Sequence, residues 1–194
     1  MIEDLNDPFE MLGFSNHKPE LRKAWPFLKK DLSSRFGLLC FSQDWRNPVQ
    51  WSHYADGHKG LCLGFDVPKK LLTEVTYSDR RLNPNWPAFS DGGRFAQAEL
   101  TRILSTKFSR WKYENEVRCI VPLRTTIKEG EFYFERFSNF LTLREVIVGH
   151  CSPVSRKQIM SVLKSLKASV SLVKARLAFR SFNVVRQKDE SLWR

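Results

Sequence analysis

The chain has 194 residues, a net charge of +11 and a hydrophobic content of 42%. These values exclude a disordered or fibrous protein, and the length predicts a single domain, residues 1–194, with an ordinary core. Since no apolar run could cross a membrane and the N-terminus is acidic where a signal peptide is basic, we expect a cytoplasmic protein.

The spacing of apolar residues predicts an α+β fold. Helices are predicted over residues 18–35, 47–59, 93–110 and 153–167. Strands are predicted over residues 36–43, 60–67, 73–78, 116–123, 130–137, 143–149, 169–179 and 181–187. We expect a central, mostly antiparallel sheet, continuous or split, flanked by helices. The segments 36–42, 60–66 and 116–122 should lie in that sheet, with helix 93–110 packed on one face.

The cysteines and histidines do not have metal-ligand spacing. Cys40, Cys62, Cys119 and Cys151 form no CxxC pair. Cys40, Cys62 and Cys119 each lie in a strand-like run, which is typical of small buried hydrophobic residues. The histidines do not fall on one helix face. We therefore expect no metal.

Positive charge is concentrated in residues 151–194, which hold ten Lys and Arg against Asp189 and Glu190, or +8 of the total of +11. A basic surface attracts polyanions, and the candidates are nucleic acid, a nucleotide pyrophosphate or an acidic membrane. The alternative is that the charge only maintains solubility. Of these partners we expect nucleic acid and no membrane. A binding surface should bring together Lys164, Lys167, Lys174, Arg176 and Arg180.

Two short motifs are consistent with a local structural role, as turns or caps, as well as with a functional site. In Asn6-Asp7-Pro8-Phe9-Glu10, Asn6 or Asp7 is predicted to cap a helix that has Pro8 in its first turn. Ser42 ends a buried strand, where it would either hydrogen-bond a ligand or cap the strand.

Trp51-Ser52-His53-Tyr54-Ala55-Asp56 places three ring side chains in one short polar helix. Trp51 and Tyr54 offer stacking faces, and His53 and Tyr54 offer hydrogen-bond donors. Alternatively, Trp51 and Tyr54 anchor the core and keep polar tips in water.

A second motif, Trp111 to Arg118, contains Glu114-Asn115-Glu116 at the entrance to a strand. On an extended segment both carboxylates point to the same face, where their repulsion raises one pKa. Such a pair marks a functional site, or it is neutralised by a cation such as Arg118. The alternative is a solvated strand start.

Together these motifs resemble DUF2971, a bacterial family of unknown function. The similar segments are NDPFE, a strand ending in CFS, WSHYADGHKGLCLGFD, V-x-Y at 75–77, K-x-x-x-W-x-Y-E-x-E-x-R at 107–118, and EVIVG. The resemblance covers residues 6–149, and the basic residues 150–194 follow it. Members usually carry a further strand ahead of Asn-Asp-Pro. Only five residues precede Asn6, so we expect a short form or a misplaced start.

The order of motifs also resembles, more distantly, the ADP-ribosyltransferase superfamily, which uses NAD. That resemblance matches Phe41-Ser42 to the superfamily's Ser-containing strand and Glu114-x-Glu116 to its late acidic motif. It implies that Glu116 stabilises an oxocarbenium-like state and that Glu114 orients or deprotonates the acceptor.

The same resemblance implies further site residues. His53 and Tyr54 join the carboxylates as candidate catalytic residues. The candidate NAD-contacting residues are Ser42, Trp51, Trp111, Tyr113 and Arg118. The WSHYA helix and the YENE segment would then face each other across one cleft.

Three hypotheses follow. The first is an ADP-ribosyltransferase-like enzyme, a toxin or anti-phage effector. The second is a non-catalytic nucleic-acid-binding module that uses the basic C-terminal face and exposed aromatic residues. The third is a degenerate homologue, which is favoured over the first because the motif that grips NAD would lie ahead of residue 6.

Overall fold

The computed structural model describes residues 7, 9, 13–15, 19–83, 97–138, 140–164, 166 and 169–193. The helices, in chain order, are α1 (Pro19–Arg35), α2 (Pro48–Tyr54), α3 (Gln97–Leu104) and α4 (Arg156–Leu163). The strands are β1 (Phe36–Ser42), β2 (Leu61–Asp66), β3 (Thr73–Glu74), β4 (Thr76–Ser78), β5 (Thr106–Phe108), β6 (Glu116–Pro122), β7 (Ile127–Glu129), β8 (Phe132–Phe134), β9 (Thr142–Val148), β10 (Ser171–Leu177) and β11 (Val184–Arg186).

The chain forms two compact units that alternate in sequence. The first unit consists of Met1–Gln43 and Lys69–Glu135, and the second consists of Asp44–Pro68 and Arg136–Arg194. The chain therefore passes from one unit to the other three times. The single-domain assignment stays a prediction, because a compact unit need not fold alone.

The first unit is built on an antiparallel sheet in the order β1-β6-β3. Leu38 of β1 and Ile120 of β6 lie on one face, where Leu100 and Leu104 of α3 pack against them together with Leu32 of α1. The prediction that a helix in the 93–110 segment covers a sheet face is confirmed. Two-stranded pairs, parallel β4-β5 and antiparallel β7-β8, complete the unit.

The second unit is a four-stranded sheet in the order β11-β10-β9-β2, with a helix on each face. On one face, Trp51 and Ala55 from α2 and its end pack with Ile147 and Ala175. On the other face, Ile159 and Leu163 of α4 contact the cluster around Val146 and Val148. Because α4 connects β9 to the parallel strand β10, this part of the chain is a βαβ unit.

The predicted α+β class and the mostly antiparallel pairing are confirmed, since five of the seven strand pairs in the described part of the chain are antiparallel. The expectation that 36–42, 60–66 and 116–122 share one sheet is wrong. The strand at 61–66 pairs with β9, whereas β1 pairs with β6. Pairing partners far apart in sequence decide this division, and local pattern does not contain them.

Several element boundaries also differ from the prediction: the helix expected over 47–59 ends at Tyr54, and the strand expected over 73–78 divides into β3 and β4, which belong to different sheets. The helix expected to reach residue 110 ends at Leu104, because Thr106 starts a strand that pairs with Thr76. The strand expected over 130–137 is the second half of a hairpin that begins at Ile127, and it ends at Phe134. Residues 93–96 lie outside the described ranges.

Of the Asn6–Glu10 motif, Asn6, Pro8 and Glu10 lie outside the described residues. The Asp7 carboxylate accepts a hydrogen bond from the Phe9 amide at 2.9 Å, which is the geometry of a turn-forming cap.

Candidate functional site

The YENE motif, residues 113–116, leads into the start of β6 in the first unit. A 3₁₀ turn, Ser109–Glu114, ends at Asn115, whose φ of 45° is left-handed and so favours Asn or Gly. Glu116 then starts β6 directly opposite Ser42. Glu114 is therefore not on an extended segment, as the sequence interpretation required, yet the turn still places it beside Glu116.

Four charged side chains form a buried ion cluster: Lys107, Glu114, Glu116 and Arg118. The Lys107 ammonium lies 2.5 Å from the Glu114 carboxylate and 3.1 Å from that of Glu116. The Arg118 guanidinium binds Glu116 in bidentate fashion at 2.7 and 3.2 Å and donates to the Leu104 carbonyl at 2.6 Å. Two positive and two negative charges are thus balanced out of water, as buried charges require.

The cluster sets the ionisation of Glu116. Burial opposes the charged form, but hydrogen bonds and charge from Arg118, charge from Lys107 and a hydrogen bond from the Cys40 thiol outweigh it. The pKa of Glu116 is therefore lowered. Mutual repulsion of the carboxylates was expected to raise one pKa, and the two cations reverse that effect for Glu116.

Neighbouring groups fix the turn that carries the carboxylates. The Ser42 hydroxyl donates to the Glu114 carbonyl at 2.7 Å, and the Gln43 amide donates to the Asn115 carbonyl at 3.0 Å. The Glu116 amide donates to the Tyr77 hydroxyl at 2.9 Å. Burial and the two carboxylates raise the pKa of Tyr77, so it remains a neutral phenol at physiological pH.

The aromatic residues of the motif lie beside the cluster. The Lys107 ammonium is 5.2 Å from the centre of the Trp111 ring, which is the geometry of a cation–π contact. The Trp111 and Tyr113 rings are 6.0 Å apart. The first unit therefore gathers six of the predicted site residues, namely Ser42, Trp111, Tyr113, Glu114, Glu116 and Arg118.

Lys107 is the cluster member that the sequence analysis did not name as a site residue. It is the lysine of the K-x-x-x-W-x-Y-E-x-E-x-R motif, so the motif carried the signal. The turn that brings Glu114 back to Lys107, seven positions earlier in the chain, could not be predicted from the sequence.

The WSHYA residues belong to the second unit. Trp51 is a buried core residue: its indole N–H donates to the Trp45 carbonyl at 2.6 Å, and its ring stacks on His58 at 6.2 Å. His53 and Tyr54 are exposed, with their rings 6.2 Å apart. Because these residues and the YENE cluster lie in different units, a common cleft stays a prediction.

The second unit carries a basic groove. It is open to solvent and has a volume of about 660 Å³. Five cations line it: Arg46, Arg176, Arg180, Arg186 and Lys188. Trp45 and Phe179 contribute aromatic faces, and the remaining lining is small or aliphatic.

The groove keeps a positive excess after its ion pairs are counted. Arg46 pairs with Asp44 at 3.0 Å, and Arg186 pairs with Glu145 at 2.8 Å. Burial opposes ionisation of Asp44, but the hydrogen bonds and charge of Arg46 outweigh it and lower the pKa of Asp44. Within the described part of the chain, Arg176, Arg180 and Lys188 have no carboxylate partner, and these three charges face the groove.

The expected cluster of five C-terminal cations forms only in part. Arg176 and Arg180 line the groove. The Lys174 ammonium instead donates to the Ser152 carbonyl at 2.9 Å, Lys164 lies at the end of α4, and Lys167 is outside the described residues. The sequence analysis missed Arg46 and Trp45, which precede α2 and reach the groove only through the fold.

The prediction that three cysteines are buried holds only in part. Cys119 is buried, and burial raises the pKa of its thiol. Burial and the charge of Glu145 raise the pKa of Cys62 to about 11, so the thiols of Cys62 and Cys119 stay protonated. Cys40 is exposed, contrary to expectation.

Among the described residues, no group of three or more His, Cys, Asp or Glu side chains is placed to hold a metal ion. Nor does any described helix have the length and apolar character needed to cross a membrane.

Residues 50–119 match the model of DUF2971, a family described as a protein of unknown function. The matched segment runs from α2 to β6, so it contains both the WSHYA and the YENE motifs and supports the resemblance drawn from them. No curated protein and no solved structure matches the chain.

Proposed function

We propose that the protein binds nucleic acid through the basic groove of the second unit. The observation that carries this proposal is the charge of the groove, where five cations face only two carboxylates. A polyanion would satisfy the three cations that lack a carboxylate partner and compete for the two that have one. The phosphates of a nucleic acid are spaced for repeated contacts of this kind.

The composition of the groove favours nucleic acid over a purely solubilising role. Charge that serves solubility is interspersed in both signs over the surface, whereas these cations line one concavity of about 660 Å³ together with Trp45 and Phe179. Cations that follow a backbone and aromatic faces that accept bases are the combination found in nucleic-acid grooves. Contacts made mainly to phosphates would give little base preference.

The test is a fluorescence-anisotropy titration of labelled oligonucleotides at two salt concentrations. If five cations contact phosphates, affinity for a single strand should fall on the order of 10²-fold between about 50 and 200 mM salt. The double variant R180A/K188A should bind more weakly and reduce the salt slope by about two-fifths, since two of five contacts are lost.

The matched control is K157A/K164A, which removes the same charge from the exposed surface of α4 outside the groove. It should keep affinity close to that of the wild type. An equal loss in both double variants, or binding that does not depend on salt, would reduce the groove to a solvated basic surface.

A second candidate function is NAD-dependent ADP-ribosyl transfer centred on Glu116. It is supported by the pairing of Ser42 directly opposite Glu116, which brings together the residues that the resemblance matches to the superfamily's Ser-containing strand and to its late acidic motif. The ionised Glu116 carboxylate suits an oxocarbenium-like state. NAD would have to reach a carboxylate that is only 6% exposed and is already bound by Arg118 and Lys107.

Incubation with labelled NAD and candidate acceptors tests this second function. E116Q should lower turnover by about 10²-fold or more, because it removes the stabilising charge. The second variant is H53A, which changes an exposed side chain and should leave the fold intact. Equal turnover in the wild type and in both variants, or none in the wild type, would contradict the proposal.

A further inference from the structure

The turn between β10 and β11 exposes two phenylalanine rings. Phe179 is 90% exposed and Phe182 is 98% exposed, and both lie in the segment Phe-Arg-Ser-Phe. Single exposed apolar residues are common on protein surfaces, but two nearly bare rings on one short turn are characteristic of a contact site.

The turn that carries these rings is well ordered by hydrogen bonds. The Ala178 amide donates to the Asn183 carbonyl at 2.9 Å, and the Asn183 side chain donates to the Ser181 hydroxyl at 3.0 Å. At its base, Leu177 pairs with Val184, which is fully buried. Preorganisation of this kind lowers the entropy that a ligand must overcome in ordering the contact residues.

One of the rings also belongs to the basic groove. Phe179 lines the groove with Arg180, and the Arg176 guanidinium lies 4.5 Å from the centre of the Phe179 ring. This cation–π contact holds the ring beside the cations of the groove. A strand whose phosphates occupy the groove would therefore bring its bases to the turn.

We propose that Phe179 and Phe182 stack on unpaired bases and make the protein selective for single-stranded nucleic acid. This inference rests on the proposed function and names the class of its ligand. In a duplex the bases already stack on one another, so the rings could reach them only by unstacking a base step. In a single strand the faces are available, and every base offers one.

An anionic membrane is the other surface that a turn with phenylalanine and arginine residues could meet. The groove favours the strand, since a flexible strand can follow its open concave surface and contact all five cations, whereas a flat bilayer would meet mainly the protruding turn.

The test compares a single-stranded oligonucleotide with the duplex of the same sequence, by anisotropy at low salt. F179A/F182A should weaken single-strand binding by about tenfold or more for each base that loses its stacking partner. Duplex binding and the salt slope should not change. F179L/F182L keeps an apolar turn without aromatic faces and should behave like the alanine variant. F179Y/F182Y keeps aromatic faces and should retain single-strand binding.

The outcomes separate this inference from the proposed function. Equal losses on single strand and duplex, or full binding by the leucine variant, would overturn the stacking role while leaving the groove. No binding of either nucleic acid by the wild type would overturn both. Binding to vesicles of anionic lipid that is lost in F179A/F182A, with single-strand binding retained, would assign the turn to membranes.

Discussion

Arg118 is 1% exposed, and the acceptors of its guanidinium include the Glu116 carboxylate and the Leu104 carbonyl. A charge in this position is tolerated because its partners replace the water that it lost. The same dependence makes each member of the ion cluster costly to change alone. An intact buried pair adds little stability, whereas a broken pair leaves an uncompensated charge.

The substitution E116Q tests this dependence. It removes the negative charge that both Arg118 and Lys107 bind, so we expect the free energy of unfolding near neutral pH to fall by about 3–5 kcal/mol. The pKa of Glu116 is lowered in the folded protein. Its contribution is therefore present above the unfolded pKa of about 4.3 and is lost as pH falls through the lower folded value.

Urea denaturation at neutral and acid pH measures both effects. The difference between wild type and E116Q should shrink in acid, where the wild-type carboxyl is protonated too. E131Q, which neutralises an exposed carboxylate in the β7–β8 turn, is the control and should change stability little. A constant difference at all pH values would contradict the linkage of Glu116 to stability.

The helix α4 begins with a complete capping box. The Ser155 hydroxyl accepts from the Gln158 amide, and the Gln158 side chain accepts from the Ser155 amide at 2.8 Å. Both ends of this exchange satisfy backbone groups that the first helical turn leaves unpaired. Because α4 connects the parallel strands β9 and β10, the cap also defines the residue at which the chain leaves the loop after β9 and enters the connecting helix.

We expect S155A to lower the free energy of unfolding by about 1 kcal/mol, since alanine cannot cap the helix. S161A is the matched control, because it removes a hydroxyl from an exposed position inside the same helix and alanine is the better helix former there. Thermal or urea unfolding compares the two. A larger loss for S161A than for S155A would refute the role of the cap.

Element types were readable from sequence where the local pattern decided them. Apolar runs predicted β1 and β6 closely, and the pair of acids before Arg118 pointed to a charged cluster. The end of α3 was not readable, since Phe108 continues the helical stripe and only the pairing of Thr106 with Thr76 breaks it. The partner of β2 could not be predicted either, because it lies in a distant part of the chain.

At the scale of the whole molecule, the prediction of function was limited in the same way. The excess charge of residues 151–194 pointed to a polyanion, and Arg176 and Arg180 were among the residues named. The groove itself needs Trp45 and Arg46, which the Val184 amide fixes by donating to the Arg46 carbonyl at 2.8 Å. The sequence shows where charge lies along the chain, whereas a binding surface depends on which distant segments come together in the fold.

The alternation of the two units has a consequence for synthesis on the ribosome. Residues 44–68 emerge early, but β9, which pairs with β2, and the rest of their sheet belong to Arg136–Arg194. Until that last segment leaves the exit tunnel, β2 cannot pair with β9 and Trp51 lacks most of its core. The nascent chain must therefore keep this segment from aggregating while the first unit is completed. The sheet that bears the groove closes last.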